Sequence, residues 1–246
     1  MRCLVISDIH ANLAAFEAVL ADAGEFDVIW CLGDMVGYGP DPNECIERLR
    51  AFPHLCIAGN HDWAVLGRVD IEDFNPDAQR ASLWTRQQLT PEHRAYLESL
   101  PITLVEEEKF TLVHGSPRQP IWEYILYPSI AKPNFAHFST RFCFVGHTHA
   151  PAIFRYWRNE HNVSVCESIA VSYTNATPLG DDRLIINPGS VGQPRDGDAR
   201  ASYAILDTDT LTLEHHRVYY PVEITQARMD AARLPGRLIT RLSYGW

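Results

Sequence analysis

The chain of 246 residues carries 21 Lys plus Arg against 31 Asp plus Glu, a formal net charge of −10, with 46% hydrophobic and 21% charged residues. That apolar share is enough for a packed core and excludes a disordered chain. The acidic balance excludes a general binder of nucleic acid or of an anionic membrane surface, since such proteins neutralise phosphates with excess Lys and Arg.

In chain order, Cys3 to Ser7 reads as a buried strand. Asn12 to Ala21 then spaces Leu13, Phe16, Ala18 and Leu20 around a helix that Asn12 can cap. Val28 to Leu32 is a second buried run, followed by the turn Gly37-Tyr38-Gly39-Pro40 and a helix from about Pro42 to Arg50. Leu55 to Ala58 is a third strand, with helices predicted over Pro76 to Leu89 and Pro91 to Leu100. Strands alternating with helices predict a mainly parallel sheet. Further on, Ile102 to Val105 and Lys109 to Val113 fit a hairpin, and Arg141 to Val145 is again a buried strand. Ala152 to Trp157, Val163 to Ala170, Arg183 to Ile186, Ser202 to Asp207 and Thr210 to Val218 read as strands spaced for antiparallel pairing. No composition break divides the halves. The expectation is therefore one domain over residues 1–246 with an α/β fold, two stacked mixed sheets flanked by helices in a four-layer α/β/β/α sandwich. Pro117 to Ser139, interrupted by four prolines and rich in aromatics (Trp122, Tyr124, Tyr127, Phe135, Phe138), cannot be one regular element and is expected to form a surface lobe or lid. The basic, partly apolar tail Arg233 to Trp246 is expected to dock on the same domain.

No apolar run approaches the roughly 18 residues of a membrane span. Four apolar residues between Arg2 and Ser7 are too few for a signal peptide. A cytoplasmic protein without a membrane partner is expected. None of the six cysteines (Cys3, Cys31, Cys45, Cys56, Cys143, Cys166) makes a Cys-x-x-Cys pair, so buried free thiols are expected as well.

Polar clusters stand at the carboxyl ends of five apolar runs: Asp8-Ile9-His10, Gly33-Asp34, Gly59-Asn60-His61-Asp62, His114-Gly115 and Gly146-His147-Thr148-His149. Sites in sheets of this class form outside the carboxyl ends of strands, so the clusters are expected to converge. They supply two carboxylates (Asp8, Asp34), four imidazoles (His10, His114, His147, His149) and the amide of Asn60. Nitrogen and oxygen ligands without thiolate suit Mn, Fe, Zn, Ni or Co rather than Ca or Mg. Seven ligands exceed the needs of one ion and fit two divalent transition-metal ions. With two carboxylates and a bridging hydroxide, such a centre keeps about one net positive charge for an anionic ester. It would also make a nucleophile from water near neutral pH. Histidines outside the clusters (His54, His93, His137, His161, His215, His216) read as surface or strand-face residues.

In order and spacing these motifs, with Gly39-Pro40 after Gly33-Asp34 and Val113 before His114, resemble the calcineurin-like metallophosphoesterase superfamily from residue 7 to about residue 200. Gly33-Asp34-Met35-Val36-Gly37-Tyr38-Gly39-Pro40 and Asn187-Pro188-Gly189-Ser190-Val191-Gly192-Gln193-Pro194-Arg195 are similar to its small prokaryotic, phosphodiesterase-like branch, distantly related to diadenosine tetraphosphate hydrolases. The resemblance implies one metal on Asp8, His10, Asp34 and His149, and a second on Asp34, Asn60, His114 and His147, bridged by Asp34. It implies that His61 touches a phosphate oxygen or protonates the leaving group while the bridging hydroxide attacks phosphorus in line. Protein phosphatases of the superfamily follow Gly-Asp with an Asp-Arg pair, and here Gly37 and Tyr38 stand at those positions. Such an activity is therefore not expected, and no residue but the adjacent Asp62 suggests itself for orienting His61. Arg118 and Arg195 are candidate replacements for the phosphate contact, because a guanidinium fork matches phosphate oxygens. The expectation is a phosphodiesterase or phosphatase acting on a small phosphoester or nucleotide. A binding or regulatory protein that keeps the fold without turnover is the alternative.

Overall fold

Burial along the first strand sets the layering. In β1 (Arg2–Ile6) the residues Cys3 to Ile6 are all 0% exposed, so both faces of the strand are covered. Leu4 and Ile6 belong to one apolar cluster with Phe16, Val19, Ile46 and Leu49, which are helical. Cys3 and Val5, pointing the other way, join Phe110, Phe142 and Phe144 of a second sheet. β1 is thus sandwiched between helices and another sheet.

The computed structural model describes all 246 residues. After β1 come α1 (Leu13–Asp22), β2 (Val28–Cys31), α2 (Pro42–Arg50), β3 (His54–Cys56), α3 (Asn60–Leu66), α4 (Pro76–Gln88) and α5 (Pro91–Ser99). The chain continues through β4 (Thr103–Glu106), β5 (Phe110–Val113), α6 (Pro128–Asn134), β6 (Phe142–Phe144), β7 (Ala152–Arg158) and β8 (Ser164–Ile169). It ends with β9 (Thr177–Pro178), β10 (Arg183–Asn187), β11 (Ala201–Asp207), β12 (Thr212–Val218), α7 (Val222–Ala231) and α8 (Gly236–Arg241). Two mixed six-stranded sheets result, in the orders β3-β2-β1-β11-β12-β9 and β4-β5-β6-β10-β7-β8. Asn12 caps α1 as expected, its Oδ1 accepting from the amide of Ala15. Between the sheets Trp30 meets Phe110 and Phe144 at centroid separations of 5.3 and 5.9 Å.

The second half of the chain departs from purely antiparallel pairing. β5, β6 and β10 run parallel, and β11 and β12 leave the second sheet to extend the first. A strand as apolar as β1 needs hydrogen-bonding neighbours on both sides, and β11 is the one that supplies the second. Residues 117–139 form a packed outer layer. Ile125, Ala131 and Phe135 pack on Val113, Cys143, Val145 and Ile185 of the second sheet, with the short α6 as the only helix on that side. The tail docks through Leu234, Leu238 and Leu242, which share a cluster with Tyr38, Phe74 and Ala78. All six cysteines are free, five of them buried. No helix is long and apolar enough to cross a membrane.

Candidate metal centre

In the first sheet Ile6 is paired with Cys31 and Cys31 with Cys56, so β1, β2 and β3 end level. In the second, Leu112 is paired with Phe144. The loops leaving these five strands carry all five polar clusters to one place, where the two sheets face each other. Asp8, His10, Asp34, His147 and His149 all take left-handed backbone conformations, with φ between 48° and 64°. Such conformations cost about 1–3 kcal/mol each for non-glycine residues and persist only where the surroundings enforce them. Close approach is part of that enforcement. A Cβ at Gly59 would lie 2.1 Å from Asp34 Oδ1, and one at Gly146 would lie 1.9 Å from Ser7 Oγ.

The side chains form two groups that share one carboxylate. Asp8, His10, Asp34 and His149 offer ligand atoms within 4.8 Å of one another, and so do Asp34, His114 and His147. Asn60 Oδ1 joins the second group, 3.2 Å from His114 Nε2. The outer ring nitrogens settle which way the lone pairs point. His10 Nδ1 faces the carbonyl of Val36 at 3.2 Å, His149 Nδ1 that of Gln193 at 2.5 Å and His114 Nδ1 that of Leu32 at 2.7 Å. His147 turns the opposite nitrogen outward, Nε2 to the carbonyl of Trp122 at 3.2 Å. A carbonyl only accepts, so each outer nitrogen carries a proton, and on a neutral ring the inner one presents a lone pair. The inner nitrogens then meet in pairs, His10 Nε2 with His149 Nε2 at 3.1 Å and His114 Nε2 with His147 Nδ1 at 3.2 Å. Facing lone pairs repel unless a cation lies among them. Asp8 Oδ1 and Asp34 Oδ2, both buried, also lack any hydrogen-bond donor. The residues present therefore fit divalent metal.

Charge tells the same story. Burial holds His10, His147 and His149 below the usual histidine value, His147 at about 3, which keeps these rings neutral. Burial also opposes charge on His114, but Asp34 and Asp8 overcome it and push the ring up to about 10. The two carboxylates thus draw positive charge to this position, whether as a proton or as a metal ion.

Asp62 does not orient His61. Its Oδ2 accepts from the amides of Asp34 and Gly59, both at 2.9 Å, and its Oδ1 from that of Val36 at 3.3 Å. It clamps the loop that carries Asp34, and burial together with the Asp34 charge pushes it up to about 7. The His61 amide donates to Asp34 Oδ1 at 2.8 Å, while its ring packs against Tyr38 (centroids 4.3 Å), His10 (4.9 Å) and Phe74 (5.0 Å). His61 Nδ1 is buried without a partner, and an ideal Cβ at Gly37 would lie 2.8 Å from it. A longer side chain at position 37 would face that nitrogen; glycine leaves the ring to be oriented by its aromatic neighbours.

The two arginines part company. Arg118 is held by Glu123, its Nε 2.8 Å from Oε2, and Glu123 also accepts from Ser116 and Asn134, so this charge is already balanced. Arg195 has no carboxylate partner. Its Nη2 lies 3.0 Å from Gln193 Oε1 and 3.3 Å from the Tyr38 hydroxyl, and its Nε is buried without a partner. Its charge bears on both His61 and His149. Sequence reasoning missed Tyr38 as a neighbour of His61, and missed Tyr124, whose ring stacks on His147 with centroids 3.9 Å apart. It also missed Asn187, whose amide donates to the Gly146 carbonyl at 2.7 Å and to Thr148 Oγ1 at 2.9 Å, steadying the loop between His147 and His149. Of these roles only that of Asp62 had a local signal, an acidic residue three positions after Gly59 at a helix start.

Comparison with known proteins agrees with this geometry. The family model of the calcineurin-like phosphoesterase superfamily domain matches residues 1–211. The crystal structure of a metallophosphoesterase from Sphaerobacter thermophilus is 51% identical, with a TM-score of 0.88 over 100% of this chain and 99% of that one. An uncharacterized protein of Methanocaldococcus jannaschii is 39% identical over 98% of this chain and 97% of its own length. A symmetrical bis(5′-nucleosyl)-tetraphosphatase of Erwinia tasmaniensis is 27% identical over 50% of this chain and 47% of its own. With its two sheets, its motifs and its buried Asp/His groups, the chain belongs to the calcineurin-like phosphoesterase superfamily.

Proposed function

We propose that the protein is a binuclear metal-dependent phosphoester hydrolase, a phosphodiesterase or phosphatase acting on a small phosphoester or nucleotide. The observation that carries this reading is the set of inward lone pairs and donorless carboxylate oxygens divided into two groups that share Asp34. Asp8, His10, Asp34 and His149 would hold one ion, and Asp34, Asn60, His114 and His147 the other, with Mn, Fe, Zn, Ni and Co all compatible with such ligands. Bound there, the ions would polarise phosphoryl oxygens and lower the pKa of water to about 7.

The chain's own groups do the rest. Asp62 and the backbone carbonyls behind the histidines fix the ligands before substrate arrives. Burial lowers His61 to about 4, with Asp34 opposing and Arg195 assisting, so the ring enters the reaction neutral. Its Nδ1 is shut in behind Gly37, which leaves Nε2 to meet a phosphoryl oxygen or the leaving oxygen. An incoming anion beside Nε2 favours protonation of the ring, which then serves as donor. Arg195 supplies the phosphate contact. Arg118, engaged by Glu123, acts on the site through the segment that carries Trp122 and Tyr124. The bacterial relatives named bis(5′-nucleosyl)-tetraphosphatase support a nucleotide among the substrates. We place the activity in the cytoplasm and assign it to residues 1–246 as one unit, since Met229 of α7 and Leu238 of α8 share an apolar cluster with Tyr38 at the site.

The test is hydrolysis of bis-p-nitrophenyl phosphate by metal-stripped protein resupplied with one ion at a time. Turnover should appear with manganese or another transition ion. His61→Ala should lower kcat at least 100-fold with metal content near wild type. Full metal loading with no turnover on a panel of mono- and diesters would instead leave a binding protein.

A further inference from the structure

The Tyr38 side chain is only 5% exposed, yet nothing in the chain accepts its hydroxyl proton. Arg195 Nη2 donates into the phenol oxygen at 3.3 Å, and the guanidinium carbon lies 5.7 Å from the ring centroid. A hydroxyl that already accepts must send its own proton elsewhere. Arg195 is in the same position. It pairs with no carboxylate, and its Nε is buried without an acceptor. The backbone carries strain here too, since Tyr38 holds φ at +61°, in the left-handed region that bulky residues avoid. The ring is meanwhile wedged between the site and the tail, packing on His61 at 4.3 Å and His10 at 4.6 Å while sharing a cluster with Leu238 and Leu242. Two unspent donors, one of them cationic, stand together against the ring of His61.

We propose that Tyr38 and Arg195 form a two-donor clamp for a non-bridging oxygen of the substrate's phosphoryl group, and that the Tyr38 ring positions His61. Tyr38 occupies one of the two positions at which protein phosphatases of the superfamily carry their Asp-Arg pair, and Arg195 joins it from a distant turn. The phenol contributes a neutral donor and presets the guanidinium, and the ring sets the plane of an imidazole that has no polar partner on Nδ1. The inference rests on the phosphoester reading, and binding separates the two.

Inorganic phosphate is titrated by calorimetry into manganese-loaded wild type, Tyr38→Phe, Arg195→Gln and the double variant, with melting temperature and metal content measured on each. Tyr38→Phe keeps the ring and is expected to weaken phosphate binding about tenfold and to raise KM similarly, with a smaller fall in kcat. Arg195→Gln should cost at least as much, and the double variant less than the sum of the two. Tyr38→Ala, which also frees His61, should cost a further tenfold or more in kcat beyond Tyr38→Phe. Phosphate binding by Tyr38→Phe within twofold of wild type at full metal loading overturns the clamp. Equal kcat for Tyr38→Phe and Tyr38→Ala overturns the positioning of His61. If phosphate binds and Tyr38→Phe weakens it while no ester is hydrolysed, the clamp stands and the enzymatic reading fails.

Discussion

Sharing of one carboxylate between two ligand groups has a thermodynamic signature. Only Asp34 belongs to both groups, whereas His149 belongs to the first alone. A ligand that binds the folded state stabilises it by RT ln(1 + [L]/Kd), about 2.7 kcal/mol per site at 100 times Kd. For a chain of this size 1 kcal/mol moves the melting temperature by about 2–4 °C. Wild-type protein taken from chelator into such an excess of manganese or zinc should therefore gain about 11–22 °C. His149→Ala, which leaves the second group whole, should gain about half of that. Asp34→Asn keeps an amide oxygen for the His61 N–H, 2.8 Å from Asp34 Oδ1, but loses the charge that both groups use, and it should gain almost nothing. Differential scanning fluorimetry over an ion titration, with metal content by mass spectrometry, reads all three. Equal gains in His149→Ala and Asp34→Asn would refute the sharing, and a wild type indifferent to every divalent ion would refute the cage.

Asp62→Ala strands the amides of Asp34, Val36 and Gly59 without an acceptor, which should cost at least about 3 kcal/mol in urea unfolding of metal-free protein; a loss under about 0.5 kcal/mol would remove its role as clamp. Gly59→Ala puts a methyl group 2.1 Å from Asp34 Oδ1, so about 1–3 kcal/mol of stability and most of the bound metal should be lost together, and a variant that keeps its metal would contradict the geometry. His215 is buried and held down at about 4 by that burial, so from pH 6.5 downward the unfolded chain takes the proton that the folded one refuses. Stability at pH 4 is lowered by about 3 kcal/mol for this reason, and denaturant melts of His215→Gln across pH 4–7 should lack that share of the slope.

Asp8, Asp34, Asn60, His114, His147 and His149 were legible because each follows an apolar run, and a buried strand ends where polar residues can reach solvent or a ligand. The α1 cap and the strands β1, β2 and β3 were legible for the same local reasons. His215 lies on a face of strand β12, in keeping with the surface or strand-face reading, but within a polar stretch only the pairing with β11 reveals that this face lies inside, the ring's Nε2 3.1 Å from the Asn187 carbonyl. The helices α3, α7 and α8 were not foreseen either. α3 is a seven-residue helix that opens on the candidate site residues Asn60 and His61, so its start looked like a loop motif. Arg118 and Arg195 were indistinguishable in sequence, each an arginine beside a Gly- or Pro-rich turn. Glu123, five residues away, takes the one; no carboxylate reaches the other.

The amino-acid order by itself thus determined the class of fold, the candidate ligand atoms and the chemistry they suit, because hydrophobic period and donor type are properties of short segments. Only the tertiary structure decided that β11 and β12 return to the first sheet, that Glu123 engages Arg118, and that Tyr38 joins Arg195 to His61. Those relations hold between atoms far apart in the chain, 157 positions for Tyr38 and Arg195 and 205 for the pairing of Arg2 with Asp207. Strand pairing and core packing bring such atoms together, and no local pattern encodes them.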